Sequence, residues 1–210
     1  MASPPAPRRD QARTRLARAA VVDAARTLFL ERGYGVATIE AISELADVPP
    51  ATVYRLFSSK HGILKALLDV SIVGDDEDVA MADRPQVQSL TDHPDPRRML
   101  AGFVDIAARV NERVAPLYRI LLSAASTDAD AAALLDELTR QRQLGQRMIA
   151  RSLARAKALR PGLRERDAAD VIHAFLSPEL YRLLVVDREW KPDRYQRWLA
   201  DTLVHQLLPE

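Results

Sequence analysis

Apolar residues recur at helical spacing through most of the chain, and the places where the pattern stops divide it into a series of helices. From about Arg13 to Arg32, Leu16, Ala20, Val21, Ala24, Leu28 and Phe29 share one face. Gly33 supplies a left-handed stop, and Gly35 a second flexible point. Thr38 then offers the hydroxyl of an N-cap, with Ile39, Ile42 and Ala46 along one side of a short helix. Asp47-Val48-Pro49-Pro50 breaks that helix, because aspartate tolerates a left-handed backbone and proline cannot continue a helix interior. Pro50 suits the first position of a second helix, where its missing N–H costs nothing. That helix, to about Phe57, buries Val53 and Phe57 at i, i+4 and presents Ala51, Thr52, Tyr54 and Arg55. Two short helices across a three- or four-residue turn predict a helix-turn-helix, whose second helix can enter a DNA major groove.

Further on, Ser58 or Ser59 caps a helix from about Lys60 to Val73, with Ile63, Leu64, Leu67 and Leu68 as its buried stripe. Gly74 to Pro96 is acidic and rich in turn residues, and reads as a solvated linker. Helical patterns resume from Pro96 to about Val114 and from Pro116 to near Ser126. Asp128 caps a long helix to about Leu159, and Pro161-Gly162 ends that region. Arg164 to Asp187 is the most apolar long segment, with Pro178 inside it as an expected kink. A last helix, about Pro192 to Leu208, carries Tyr195, Trp198, Leu199, Leu203 and Leu207.

Composition sharpens the class. Seven glycines in 210 residues, with frequent Ala, Leu and Arg, favour an all-α protein. The formal net charge is only +1, so any attraction to nucleic acid must be local. Such a locality exists in residues 1–18, where Arg8, Arg9, Arg13, Arg15 and Arg18 face the single acid Asp10. Residues 1–12 read as a disordered basic leader, or alternatively as an arm that touches phosphates or the minor groove. Cysteine is absent, which excludes disulfides and thiolate metal sites. No apolar run approaches the roughly 20 residues of a membrane span, so a cytoplasmic, nucleoid-associated protein without membrane partners is expected.

Catalytic signatures are missing. The chain has no G-x-G-x-x-G, Walker, H-E-x-x-H or G-x-S-x-G motif, and the acidic run 75–78 lacks the spacing of a calcium loop. His61, His93, His173 and His205 show no ligand spacing, so neither an enzyme nor a metal or cofactor protein is expected. The candidate DNA-contacting set is Thr38, Pro49, Pro50, Thr52, Val53, Tyr54, Arg55, Lys60 and His61. Arg55 is the candidate for bidentate guanine contact, and Thr38 and Lys60, at helix N-termini, for phosphate. Phe103, Tyr118, Leu121, Met148, His173 and Phe175 are candidates for a small-molecule pocket, although a helical bundle needs such residues as core in any case. Leu180, Leu183, Leu184, Trp198, Leu199 and Leu203 are candidates for a dimer interface, because their stripes exceed what one intrachain neighbour covers.

The run Val21-Val22-Asp23-Ala24-Ala25, Leu28-Phe29, Glu31, Gly33-Tyr34, Thr38, Ile42, Val48, Thr52, Val53-Tyr54, Phe57 and Ser59-Lys60 resembles the N-terminal domain of TetR-family transcriptional regulators. The resemblance covers roughly residues 15–70. Asp47 stands where the family usually has glycine, Pro49-Pro50 where it has a small or polar cap and a lysine, and Leu56 where an aromatic is common. The segment FLSPELYRLLVVDREWKPD also resembles one type of regulatory domain in that family. The resemblance implies a DNA-binding domain at 13–73, with the last helix connecting it to a helical ligand-sensing and dimerisation domain at 74–210. It implies a homodimer on a palindromic operator of double-stranded DNA, usually a repressor released by a small apolar or amphipathic effector. A DNA-binding regulator or architectural protein with no effector stays open beside it.

Overall fold

The computed structural model describes residues 7–74 and 84–209, and all regular structure among them is helical, as an all-α chain requires. The elements are α1 (Pro7–Arg32), α2 (Ile39–Ala46), α3 (Pro50–Phe57), α4 (Lys60–Val73), α5 (Pro85–Thr91), α6 (Pro96–Ala125), α7 (Ala129–Arg155), α8 (Glu165–Phe175), α9 (Pro178–Tyr181), a π-helical turn (Arg182–Val186) and α10 (Pro192–Leu207). They form two compact units. The first contains the residues up to 70 together with 120–132, and the second contains 71–119 and the residues from 133 onward.

In the first unit the apolar face of α1 is covered by the two short helices. Val21, Ala25, Phe29, Ile42, Val53, Ile63, Leu64, Leu67 and Leu68 are buried. Gly33 takes φ +79°, the left-handed value that ends α1. Tyr34 folds back so that its ring lies 5.4 Å from that of Phe29. Leu121, Ala124 and Ala131, from the end of α6 and the start of α7, are buried within this same unit. Asp128 caps α7 as expected, with Oδ1 accepting from the N–H groups of Asp130 and Ala131 at 2.9 and 3.0 Å.

The second unit is built around Leu100, Val104, Ala150, Leu153, Ile172, Tyr195, Leu199, Leu203 and Leu207. Four of its aromatic residues gather at one place: Tyr195 meets Tyr181 edge-on at 5.2 Å, and Trp198 meets Trp190 at 5.6 Å.

Four boundaries differ from the sequence reading. The leader assigned to 1–12 is helical from Pro7, and residues 1–6 lie outside the described residues. Part of the segment read as a linker is α5, whose Val87 is buried; residues 75–83 lie outside the described residues. A Cβ on Gly102 would come within 2.3 Å of Leu90, so that glycine lets α5 lie close on α6. The two helices expected on either side of Pro116 are one helix, α6. Pro116 and Glu112 both lie on its exposed side, where water can take the carbonyl that proline leaves without a donor. The segment 164–187 is broken rather than kinked at Pro178. Ser177 Oγ accepts from Leu180 N–H at 3.1 Å and starts α9, while Asn111 Nδ2 donates to the Leu176 carbonyl at 3.3 Å.

Candidate nucleic-acid interface

The helix-turn-helix is held by bonds that its own sequence supplies. Thr38 Oγ1 accepts from Ala41 N–H at 3.1 Å, which caps α2 and leaves the hydroxyl proton free to donate outward. Asp47 sits at φ 50°, ψ 42°, the left-handed conformation expected of it. Val48 N–H then reaches Ser43 carbonyl at 3.1 Å, and the buried Ser43 hydroxyl returns a bond to Val48 carbonyl. Pro50 occupies the first turn of α3, whose Thr52 and Val53 N–H groups bond Pro49 carbonyl at 2.8 and 3.1 Å. The turn is therefore fixed before any partner arrives.

With that geometry, α3 presents a small polar face. Pro49, Pro50, Ala51, Tyr54 and Arg55 are exposed and Thr52 is half-buried. Arg55 has no ion-pair partner among the described residues, so its guanidinium can make a bidentate contact. Val53 does not belong to the contact set. It is wholly buried, because at i, i+4 from Phe57 it faces α1.

The flanking residues are more constrained than their sequence positions suggest. Lys60 Nζ donates to Tyr34 carbonyl at 2.8 Å and lies 4.3 Å from the centre of the Tyr34 ring. It clamps the start of α4 to the loop after α1, with two protons left for a phosphate. Burial, then the charges of Asp128 and Asp130, push the Tyr34 phenol up to about 12, so the ring under Lys60 is neutral. His61 is half-buried with Nδ1 turned inward and without a hydrogen bond, so only part of it is available to a partner.

Two supporting residues were not singled out from the sequence. A Cβ at Gly62 would stand 1.9 Å from the Phe57 carbonyl oxygen, so α4 can start beside the end of α3 only because residue 62 has none. A glycine inside a helical pattern is the signal that could have found it. Arg18 of α1 lays its guanidinium 4.8 Å above the Phe57 ring, which places an exposed basic residue at the end of α3.

Residues 21–67 match the family described as "Bacterial regulatory proteins, tetR family". That segment is of the TetR type. Over 48 residues it is 42% identical to an uncharacterised HTH-type transcriptional regulator, YvkB, of Bacillus subtilis strain 168. That match spans 23% of this chain and 25% of the relative's length. The fold extends much further than the sequence likeness. A SmeT–triclosan complex superposes with TM-score 0.70 at 20% identity, over 92% of both chains. NalD, the secondary repressor of the MexAB-OprM multidrug efflux pump in Pseudomonas aeruginosa, does so with TM-score 0.68 at 22% identity, over 92% of this chain and 97% of its own.

Beyond the TetR-family segment, the structure separates the remaining candidates. Phe103 and Tyr118 are buried and Met148, His173 and Phe175 half-buried, all five in the second unit. Leu121 is fully buried in the first unit and does not group with them. Of the dimer candidates, Leu199 and Leu203 are excluded as surface residues: they are 0% and 1% exposed, consumed by the chain's own core. Leu183 is exposed, and Leu180, Leu184 and Trp198 are half-buried. Val186, one turn from Leu183, is also exposed and was not among the candidates.

Proposed function

We propose that this chain is a TetR-family DNA-binding transcriptional regulator that works as a homodimer in the cytoplasm and is controlled by a small-molecule effector. The observation that carries the DNA-binding part is α3: a short helix fixed at both ends, with Tyr54 and Arg55 exposed and Arg55 unpaired among the described residues. Two chains must set these helices about 34–36 Å apart to read successive major grooves of a palindromic site. The exposed Leu183 and Val186, beside half-buried Leu180 and Leu184, support pairing through the α9 region. Thr38 and Lys60 would hold phosphates, while Thr52, Tyr54 and Arg55 read bases. An effector that favours a different separation of the two α3 helices lowers affinity by its differential binding to the two states.

A binding-site selection tests this reading. The wild type is expected to enrich a two-fold symmetric sequence, and Arg55→Ala to lose about 1–3 kcal/mol at one base of each half-site with relaxed preference there. Enrichment of no sequence, or unchanged preference in the variant, defeats it. A second reading, regulation without an effector, is favoured by Phe103 and Tyr118, which pack as ordinary core residues. Operator binding that no small molecule alters would support it.

A further inference from the structure

In the second unit, the polar group around Arg142 is not accounted for by packing. Arg142 projects from α7 with a side chain only 22% exposed. Its Nη2 lies 3.2 Å from His173 Nε2 on α8, and His173 Nδ1 lies 2.5 Å from Gln146 Oε1, one turn along α7. An amide oxygen only accepts and a guanidinium only donates, so His173 carries its proton on Nδ1 and receives one at Nε2. That ring is neutral; burial, and next the adjacent guanidinium, hold it below the ordinary histidine range. It contributes no charge against Arg142. Tyr118, with its ring centre 5.7 Å from the guanidinium carbon, gives Arg142 a π-face, while its hydroxyl interacts with Glu179 and Thr139.

The carboxylate that reaches Arg142 is Glu179 on α9, and it does so poorly. Its Oε2 stays 3.6 Å from Nη1, beyond hydrogen-bonding distance, on a side chain 49% exposed. Nε and Nη1 of Arg142 are both buried and make no hydrogen bond among the described residues. A largely buried cation thus keeps N–H donors unspent and only a loose counter-ion, an arrangement costly in itself and suited to an incoming anion.

We propose that Arg142 anchors the carboxylate of an amphiphilic effector, and that Glu179 is a resident counter-ion which the effector displaces. This rests on the effector-sensing reading above and names the class of effector. A ligand carboxylate offers acceptor oxygens to Nε and Nη1, and the Tyr118 ring offers its carbon body an apolar wall. Glu179 is half-exposed, so it can turn into water when a like charge arrives. It lies on α9, four residues long and continuous with the π-helical turn that bears Leu183 and Val186. Ligation therefore acts first on the segment proposed to pair two chains.

Titration calorimetry on the full-length protein with octanoate, octanol and octyltrimethylammonium tests the anchor. Octanoate is expected to bind at least tenfold more tightly than octanol, and the cation not to bind. Arg142→Gln should erase the preference for octanoate and Arg142→Lys should keep part of it, with folding checked by circular dichroism. Glu179→Gln, at a half-exposed position, should tighten octanoate binding threefold or more, and it decides the matter if the Arg142 variants do not fold. Absent octanoate binding, equal affinity for octanol, an unchanged preference in a folded Arg142→Gln, or no tightening in Glu179→Gln overturns the proposal. Octanol that binds and releases operator DNA would overturn the anchor and leave effector control standing. Octanoate bound through Arg142 with no change in operator affinity would keep the anchor and remove effector control.

Discussion

The two units close their polar groups in different ways. In the first, the helix-turn-helix closes over short spans: Thr38 caps Ala41, Ser59 caps Gly62, and Ser43 and Val48 exchange bonds across the turn, while Lys60 reaches back 26 positions to the Tyr34 carbonyl. In the second, Ser177 is a local cap, but other closures span the chain. Asn111 reaches Leu176, Arg142 reaches His173, and Arg160 N–H bonds Leu207 carbonyl at 2.8 Å. Each unit also keeps an unclosed group among the described residues: His61 Nδ1 in the first, and in the second the hydroxyl of fully buried Tyr195. Local closure fixes a reading head in one shape. Distant closure leaves the other unit with polar groups whose partners depend on how separate helices pack, which is the property the proposed effector response needs.

The largest effects should come from the two cores. Phe57→Ala is expected to cost about 3–5 kcal/mol and Leu203→Ala about 2–5 kcal/mol in denaturant unfolding. Because Leu203 is spent inside its own chain, its variant should leave the association constant of folded protein unchanged; weaker association in sedimentation would return it to the interface. Ser43→Ala comes next, at about 1–3 kcal/mol, since it strips a partner from buried Val48 carbonyl. Tyr195→Phe should go the other way, by up to about 1 kcal/mol of added stability, because it removes a buried hydroxyl that has no partner. If both hydroxyl deletions destabilise alike, the contrast between the units fails.

The smallest effect is on pH dependence. His173 is held neutral in the fold, below the roughly 6.5 of an unfolded chain. Below that pH the unfolded state binds a proton that the folded state does not, so stability present above about 6.5 is lost as the pH falls. His173→Gln should flatten this part of a urea-unfolding series between pH 7.5 and 5.5.

Much of the first unit was legible because its signals are local. Thr38, Asp47, Pro50 and Ser59 act on backbone within a few residues, so spacing alone predicted their roles and the exposed face of α3. Val53 shows where that stops: a residue can lie within the candidate DNA-contacting segment and still be spent on α1. In the second unit, Pro116 and Pro178 are the same residue with opposite outcomes. One is absorbed into α6 on an exposed side, and the other starts a new helix because Ser177 caps it and Asn111, 65 positions away, takes the Leu176 carbonyl.

The sequence by itself determined the helical class, the turn between α2 and α3, and the polar face that α3 offers, since each follows from propensities and caps within one or two turns of chain. Only the tertiary structure decided that Lys60 clamps Tyr34, that Gly62 admits the end of α3, and that Leu199 and Leu203 are buried in the chain's own core. It alone brought Arg142, Gln146, His173 and Glu179 together from three helices. An apolar stripe states that something must cover it without stating what, and a charged side chain acquires its meaning from partners that folding supplies.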